Sequence, residues 1–278
     1  MSPCSDPGAP ETGSPGTGGS GVLDFHIRLV PRPGAAAELL ELMDRCRIER
    51  AVVCAGGTID LDRLSTQLVE GGQVRTDADN DAVLAGCVGS AGRLVPFFFA
   101  NPHRNADVYR SRAGEFRGLE ISPAVHGVAL TDRRVADLVS VAAEAGHPVY
   151  VVCLARPGSG VADLVRLAGR FPQVRFVLGH SGVGNIDLHA LNLVAPHRTI
   201  SVETSGGYTC VLRAALQRLG ADRVLFGSEY PLQHPSVEFA KFAAVQLSPE
   251  CWQQVAWHNG HRLIGEPGRR PREWRYEL

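Results

Sequence analysis

Residues 22–29 read VLDFHIRL. Apolar residues alternate here with Asp24, His26 and Arg28, and a spacing of two directs these three polar side chains to one side of a strand. Charged groups are rarely buried without a partner. We therefore expect residues 22–29 to form a buried strand whose polar side carries chemistry or ion pairs.

Seven further strand-like runs follow. They are short and rich in apolar or β-branched residues, as strands buried on both faces should be, and they occupy 50–56, 94–102, 117–123, 147–155, 174–182, 199–207 and 223–231. Predicted helices lie between and after them, at 35–47, 79–91, 107–116, 133–145, 161–171, 187–194, 210–220, 236–246 and 249–265. Eight strands alternating with helices predict a parallel sheet. A closed (β/α)8 TIM barrel is favoured over a doubly wound sheet, because no strand is followed by GxGxxG.

The chain divides into a tail and one domain. Residues 1–20 are dominated by Gly, Pro and Ser, and they predict a disordered N-terminal tail because they bury too little apolar surface to offset the entropy of ordering. Residues 21–278 have about the length of one barrel. They predict a single barrel domain.

Composition and charge bear on which partners and which compartment the chain is expected to have. A net charge of −1 argues against nucleic acid and against a charged membrane surface, and no apolar run has the roughly 18 residues of a membrane span. The N-terminus lacks a secretory signal. The seven cysteines form no CxxC pair and lie mostly in apolar stretches, which predicts free thiols in the reducing cytoplasm.

In a barrel, the C-terminal ends of the strands carry function. His26, His180 and Glu229 fall near three such ends, and we take them as candidate catalytic residues because all three can move protons or bind metal. Other polar residues near strand ends are candidate substrate-binding groups: Arg28, Glu120, Glu203, Tyr230 and His234. In a purely structural alternative, Glu120 or Glu203 pairs with Arg28 inside the barrel.

Five motifs resemble those of the amidohydrolase-related family, which includes the aminocarboxymuconate-semialdehyde decarboxylase type of enzyme. They are LDFHIRL (23–29), FVLGHSGVG (176–184), SVETSGG (201–207), VLFGSEYP (224–231) and HNGHRLIG (258–265). They stand in the family's order, and the resemblance spans residues 22–265. It implies a barrel with hydrolase or decarboxylase chemistry, and in most relatives a metal site at the strand ends.

The departures from the family pattern concern that metal site. His26 matches the first of two metal-binding histidines on the first strand, but Arg28 stands at the second. Val152 stands where the fifth strand of relatives offers a histidine, and Glu229 replaces the aspartate of the eighth strand. On the fourth strand Glu120 stands in place of a Lys-x-His-Pro pattern. The resemblance therefore implies a degenerate metal site.

Three functions remain open. The first is a hydrolase-like or lyase-like enzyme that works on a small carbonyl or carboxylate substrate by acid–base chemistry, without a tightly bound metal and with Arg28 in the electrostatic role. The second is a hydrolase or decarboxylase with one zinc-like divalent metal on His26, His180 and Glu229. The third is a catalytically inactive barrel that binds a partner.

Three expectations concern the surroundings of the site. Lys241 is the only lysine; it is predicted on a late helix away from the strand ends, which excludes a lysine-bridged binuclear centre. Residues 58–81 predict a long loop that covers the barrel mouth. The resemblance implies a homodimer, for which Trp252 and Trp257 are candidate interface residues, although tryptophans at such positions are more often core.

Overall fold

The structure is a computed structural model that describes residues 21–269. The predicted tail, 1–20, lies outside the described residues, as do 270–278. Parallel strands form the centre: β1 (Leu23–Leu29), β2 (Arg50–Ala55), β3 (Leu94–Pro96), β4 (Phe98–Phe99), β5 (Leu119–Ile121), β6 (Val149–Val151), β7 (Phe176–Leu178), β8 (Ile200–Glu203) and β9 (Val224–Leu225).

These segments close into an eight-stranded barrel. β3 and β4 are one barrel strand interrupted at Phe97, whose amide donates to the Val53 carbonyl oxygen at 2.9 Å. β1, β2 and β3 pair in that order, and β4 to β9 pair in sequence order. Hydrogen bonds from Arg28 N to Tyr230 O (2.8 Å) and from Glu229 N to His26 O (2.9 Å) join the last strand to the first. The predicted (β/α)8 barrel is confirmed.

Helices surround the barrel: α1 (Ala35–Cys46), α2 (Leu61–Glu70), α3 (Asn80–Val88), α4 (Asp107–Arg110), α5 (Pro123–His126), α6 (Arg133–Ala145), α7 (Val161–Arg170), α8 (Leu188–Val194), α9 (Thr209–Leu219), α10 (Pro235–Ala243), α11 (Pro249–Gln253) and α12 (Asn259–Leu263). A π-helical turn, Gln254–His258, joins the last two. None of the helices within 21–269 is both long and apolar enough to cross a membrane.

The prediction of a loop at 58–81 is wrong for its middle, which is α2. Asp60 caps this helix, because its side chain accepts a hydrogen bond from the Arg63 amide at 2.8 Å. A capped first turn satisfies a backbone donor that would otherwise lack a partner. Gln67 then fastens α2 to α5 by donating to the Ala124 carbonyl oxygen at 2.9 Å.

The first strand departs from simple alternation. Its pairing with β2 changes register between Asp24 and Ile27, and such a bulge re-aims side chains. Phe25 consequently joins the interior apolar cluster, while His26 stacks on the Tyr150 ring within the same barrel. The expectation that side chains alternate strictly over 22–29 is therefore wrong at the bulge.

Large apolar side chains fill part of the barrel interior. Phe25 and Phe97 meet edge to face with ring centroids 5.8 Å apart, and Trp257 is fully buried in the same cluster. Trp252 packs on Phe226, with ring centroids 5.8 Å apart. Trp257 therefore lies in the core and cannot supply a dimer surface.

The packing around Phe97 makes a test of the barrel interior. A methyl group added at Gly118 would overlap the ring of Phe97, which is fully buried. We expect Gly118→Ala to lower the free energy of unfolding by about 1–3 kcal/mol, the usual cost of overpacking. Urea denaturation measures this, and Gly114→Ala is the control because an added methyl there meets nothing. Equal stability of the two variants would contradict the packing.

Candidate active site

Two of the candidate catalytic side chains stand on sharply turned backbone beyond the strand ends. His180 follows β7 with φ of 55°, and Glu229 lies at the end of the last strand with φ of 59°. Non-glycine residues adopt this left-handed conformation infrequently, at a cost of order 1 kcal/mol, and it is concentrated at functional sites. The backbone at residue 179 passes close to the Tyr150 side chain and requires a glycine, since a Cβ there would lie 2.5 Å from the Tyr150 hydroxyl oxygen.

Arg28 and Glu120 form an ion pair across the barrel. Arg28 Nη2 lies 2.5 Å from Glu120 Oε1, and the Glu120 side chain is fully buried while that of Arg28 is 16% exposed. Burial by itself would raise the pKa of Glu120, but the Arg28 guanidinium and the His26 ring hold it well below its usual range. Glu120 is thus a permanent carboxylate.

His26 lies below the mouth, among these groups. Its ring stacks on Tyr150 with centroids 4.3 Å apart, and its Nε2 lies 3.5 Å from Glu120 Oε2. Neither ring nitrogen has a hydrogen-bond partner among the described residues. His26 is 1% exposed, so it contacts its neighbours and not the solvent.

His180 and Glu229 make the second charged pair. His180 Nδ1 lies 3.3 Å from Glu229 Oε2, and both side chains are about one-fifth exposed (17% and 21%). Burial opposes charge on each, yet the carboxylate raises the pKa of His180 above 6.5, and the imidazolium lowers the pKa of Glu229 to about 2. The two groups favour the charged form of each other.

Glu203 is enclosed by hydrogen-bond donors. Its Oε2 accepts from Tyr150 Oη at 2.7 Å, from Ser205 Oγ at 2.9 Å and from the His180 amide at 3.1 Å. Its Oε1 accepts from the Ser205 amide at 2.5 Å. Burial and the nearby Glu203 charge raise the pKa of the Tyr150 phenol well above its ordinary value, so Tyr150 stays a donor.

A cavity of about 580 Å³ opens above this polar layer. Arg28, His180 and Glu229 line it, and α2 contributes Leu61, Leu64 and Leu68. Most of the remaining lining is apolar or glycine: Val30, Ile59, Phe99, Val125, Val152, Leu154, Gly182, Val183, Gly206 and Leu232. As expected, the segment after the second strand covers the mouth, although it does so as a helix.

The structure brings most of the predicted site residues together, in two layers. Arg28, His180 and Glu229 reach the cavity, whereas His26, Glu120 and Glu203 lie beneath them. The expectation that Glu120 and Glu203 contact substrate therefore does not fit, because both are fully buried. The structural alternative, in which Glu120 pairs with Arg28, is the arrangement present.

Two predicted residues lie apart from this group. His234 is exposed and caps α10, where its Nδ1 accepts from the Ser236 amide at 3.2 Å. Tyr230 is half-buried and pairs through its backbone with Ile27. Neither His234 nor Tyr230 is among the described residues that line the cavity.

Sequence reasoning missed Tyr150 and Ser205 as site residues. Tyr150 stands in the apolar run of the fifth predicted strand, and its hydroxyl among aliphatic neighbours is the one signal that could have marked it. Ser205 was indistinguishable from neighbouring small polar residues by type alone. Its contact with His180 Nδ1, at 2.9 Å, depends on the fold.

The described residues include two groups that could hold a metal ion. In each, the ligand atoms lie within 4.8 Å of one another: His26, His180 and Glu203 in one, His26, Cys54 and Glu120 in the other. The unpartnered nitrogens of His26 fit a ligand role. Glu229 belongs to neither group, so the predicted trio of His26, His180 and Glu229 is not assembled at one point. Glu203 would have to give up hydrogen bonds to coordinate.

Lys241 has a structural role. Although it lies on α10, its Nζ reaches the end of β8, contrary to expectation. Nζ donates to the carbonyl oxygens of Thr204 (2.5 Å) and Gly207 (2.9 Å) and pairs with Glu238 at 2.8 Å. The ammonium group is thus engaged by two carbonyl oxygens and one carboxylate. The expectation that no lysine-bridged binuclear centre forms is consistent with this arrangement.

Comparisons with known proteins agree with this architecture. A family model described as amidohydrolase matches residues 23–265. A search of curated proteins found no match.

The solved structures that share the fold include three with a stated activity. One is 5-carboxyvanillate decarboxylase from Novosphingobium aromaticivorans, complexed with manganese and 4-hydroxy-3-methoxy-5-nitrobenzoic acid (15% identity, TM-score 0.66, 90% of this chain and 97% of that chain). Another is 2,6-dihydroxybenzoate decarboxylase from Rhizobium (14%, 0.64, 88% and 98%). A third is a candidate 2-pyrone-4,6-dicarboxylic acid hydrolase from Pseudomonas putida (16%, 0.65, 88% and 98%). At these identities the likeness establishes the fold.

The His180–Glu229 pair predicts a specific titration. The stability that it contributes is greatest between about pH 4.5 and 6.5, the ordinary values of the two groups. It is lost above this window as His180 deprotonates and below it as Glu229 protonates. In Glu229→Gln the carboxylate that favours the charged form of His180 is lost while the burial that opposes it remains, so we expect the pKa of His180 to fall.

NMR titration of the histidine ring protons measures this pKa. Glu115→Gln, which alters a carboxylate on an exposed turn, is the control and should leave His180 unchanged. An unchanged His180 pKa in Glu229→Gln would show that the two groups are not coupled.

Proposed function

Because the chain belongs to the amidohydrolase family, we propose that it is an enzyme that performs hydrolytic or lyase-type acid–base chemistry on a small carboxylate or carbonyl substrate, without a tightly bound metal. The observation that carries the proposal is the His180–Glu229 pair at 3.3 Å on the cavity wall. The Glu229 carboxylate raises the pKa of His180 against the opposing effect of burial, and an imidazole can both take up and release a proton in general acid–base catalysis.

His180 is the proton-transfer group in this proposal. Its Nδ1 is engaged by Ser205 and Glu229, and its Nε2 makes no hydrogen bond within residues 21–269 and is not enclosed. The Nε2 is therefore the atom that exchanges a proton with substrate. Glu229 stabilises the imidazolium that forms when Nε2 takes up the proton.

Arg28 is the anion-holding group. A guanidinium has five N–H donors. Two are used, by Glu120 Oε1 and by the Ala55 carbonyl oxygen, which leaves three for a substrate carboxylate or a developing oxyanion. Because the partner of Arg28 is fully buried, the guanidinium is held in place before substrate arrives.

The shape of the cavity supports a compact apolar substrate with one anionic end. Its lining is mostly aliphatic, and Phe99 lies under Arg28, with the guanidinium carbon 5.2 Å from the ring centroid. A volume of about 580 Å³ suits a small molecule and not a polymer. Ring carboxylates such as the benzoates bound by the structural neighbours are of this kind.

The unpartnered nitrogens of buried His26 favour a second candidate function, a metal-dependent decarboxylase or hydrolase. A single divalent ion would be held by His26, His180 and Glu203, and when bound it would polarise a substrate oxygen. The manganese present in one structural neighbour supports this alternative. Against it stand the permanent charge of Arg28 and the hydrogen bonds that already engage Glu203.

The proposal is tested by assaying chelator-treated protein on a panel of hydroxybenzoates and pyrone carboxylates, with metal content measured in the same samples. We expect turnover to survive metal removal and His180→Asn to reduce kcat by about 10²–10⁴-fold, the usual contribution of general acid–base catalysis. Arg28→Lys keeps the charge but loses the planar donor fork, so we expect it mainly to raise KM.

His189→Asn is the matched control, because His189 is exposed on α8 and should leave kcat unchanged. Turnover that disappears with stoichiometric metal and returns when metal is restored would replace the proposal with the second candidate. Full activity of His180→Asn would refute both assignments of His180. If no compound on the panel is turned over but ligands bind, an inactive binding barrel is favoured.

A further inference from the structure

The hydrogen bonds around Glu203 determine where one proton sits. A serine hydroxyl has a single proton. Ser205 Oγ is 2.9 Å from Glu203 Oε2 and also 2.9 Å from His180 Nδ1. A carboxylate oxygen can only accept, so the contact between Ser205 Oγ and Glu203 Oε2 requires the serine proton. The Ser205 oxygen is then an acceptor toward His180.

The other neighbour of this ring nitrogen leads to the same conclusion. Glu229 Oε2, at 3.3 Å from His180 Nδ1, is a carboxylate oxygen with no proton to offer. Both atoms that face Nδ1 are therefore acceptors. The arrangement requires a proton on Nδ1, and in neutral imidazole this leaves the lone pair on Nε2.

We infer that Glu203 and Ser205 are positioning residues, which act through His180 by holding its Nδ1 proton and so leaving Nε2 bare toward the cavity. Neither touches substrate, because both side chains are fully buried. The inference rests on the proposed role of His180 and extends it to a second layer of the site.

Tyr150 supports the same network from the opposite side. Its hydroxyl donates to Glu203 Oε2 at 2.7 Å, and its ring stacks on His26 with an interplanar angle of 4°. His26 in turn meets the His180 ring edge to face at 5.2 Å. Tyr150 therefore contacts two neighbours of His180: it donates a hydrogen bond to the Glu203 carboxylate, and its ring stacks on His26.

The tautomer is measured directly by two-bond ¹H–¹⁵N NMR correlations of the histidine rings, at a pH above the titration of His180. In the unaltered chain we expect His180 protonated at Nδ1. In Ser205→Ala the acceptor at 2.9 Å is lost and only the longer contact to Glu229 remains, so we expect the Nε2-protonated form to become populated. We expect kcat to fall at least about tenfold, because the tautomer of a catalytic histidine is essential to its role, and KM to stay the same.

Ser236→Ala is the matched control, because Ser236 Oγ also contacts a histidine Nδ1, at 2.8 Å, but on the exposed His234. It should leave the His180 nitrogens unchanged. Tyr150→Phe is a second probe, which removes one donor to Glu203 and keeps the ring that stacks on His26. Because Glu203 and Ser205 stay in place, His180 should remain protonated at Nδ1.

The outcomes separate this inference from the proposed function. If Ser205→Ala is folded and keeps the nitrogen shifts of the unaltered chain, Glu229 alone sets the tautomer and the inference is wrong, even where His180→Asn is inactive. If His180→Asn stays active, the proposed function fails, and a tautomer shift in Ser205→Ala still establishes the network.

Discussion

A buried ion pair sets the character of this barrel. Arg28 and Glu120 meet at 2.5 Å, with Glu120 completely removed from solvent. Removal of one partner from such a pair typically costs about 3–5 kcal/mol, since the other is left as an uncompensated buried charge. Each residue therefore constrains the other. The pair also places a permanent cation at the position where the family resemblance implies a second metal-binding histidine.

The groups at the mouth are arranged so that positive and negative charges alternate. Arg28 lies beside Glu120, and His180 beside Glu229. His26 stands between the two pairs, stacked on Tyr150 and edge-on to His180. A guanidinium with free donors and an imidazole coupled to a carboxylate suffice to hold an anion and move a proton.

Sequence reasoning predicted the barrel and the layer of the site that depends on strand ends. Alternation of strands and helices specified the fold, and the position of His180 and Glu229 at strand ends placed them at the mouth. Strict alternation failed on β1, because a bulge between Asp24 and Ile27 is set by pairing with β2. Tyr150 and Ser205 were missed because their importance comes from contacts across strands, to residues 53 and 25 positions away. Periodicity along one strand carries no information about such partners.

Under the proposed function, the Arg28–Glu120 and His180–Glu229 pairs occupy the site without a tightly held metal. Anomalous diffraction from crystals grown with manganese tests it most directly, because the metal and its ligands are then located without reference to any substrate. We expect both ion pairs to be intact and no anomalous peak to lie within coordination distance of His26 or His180. A fully occupied manganese bound by these two histidines, with Arg28 turned away from Glu120, would contradict it.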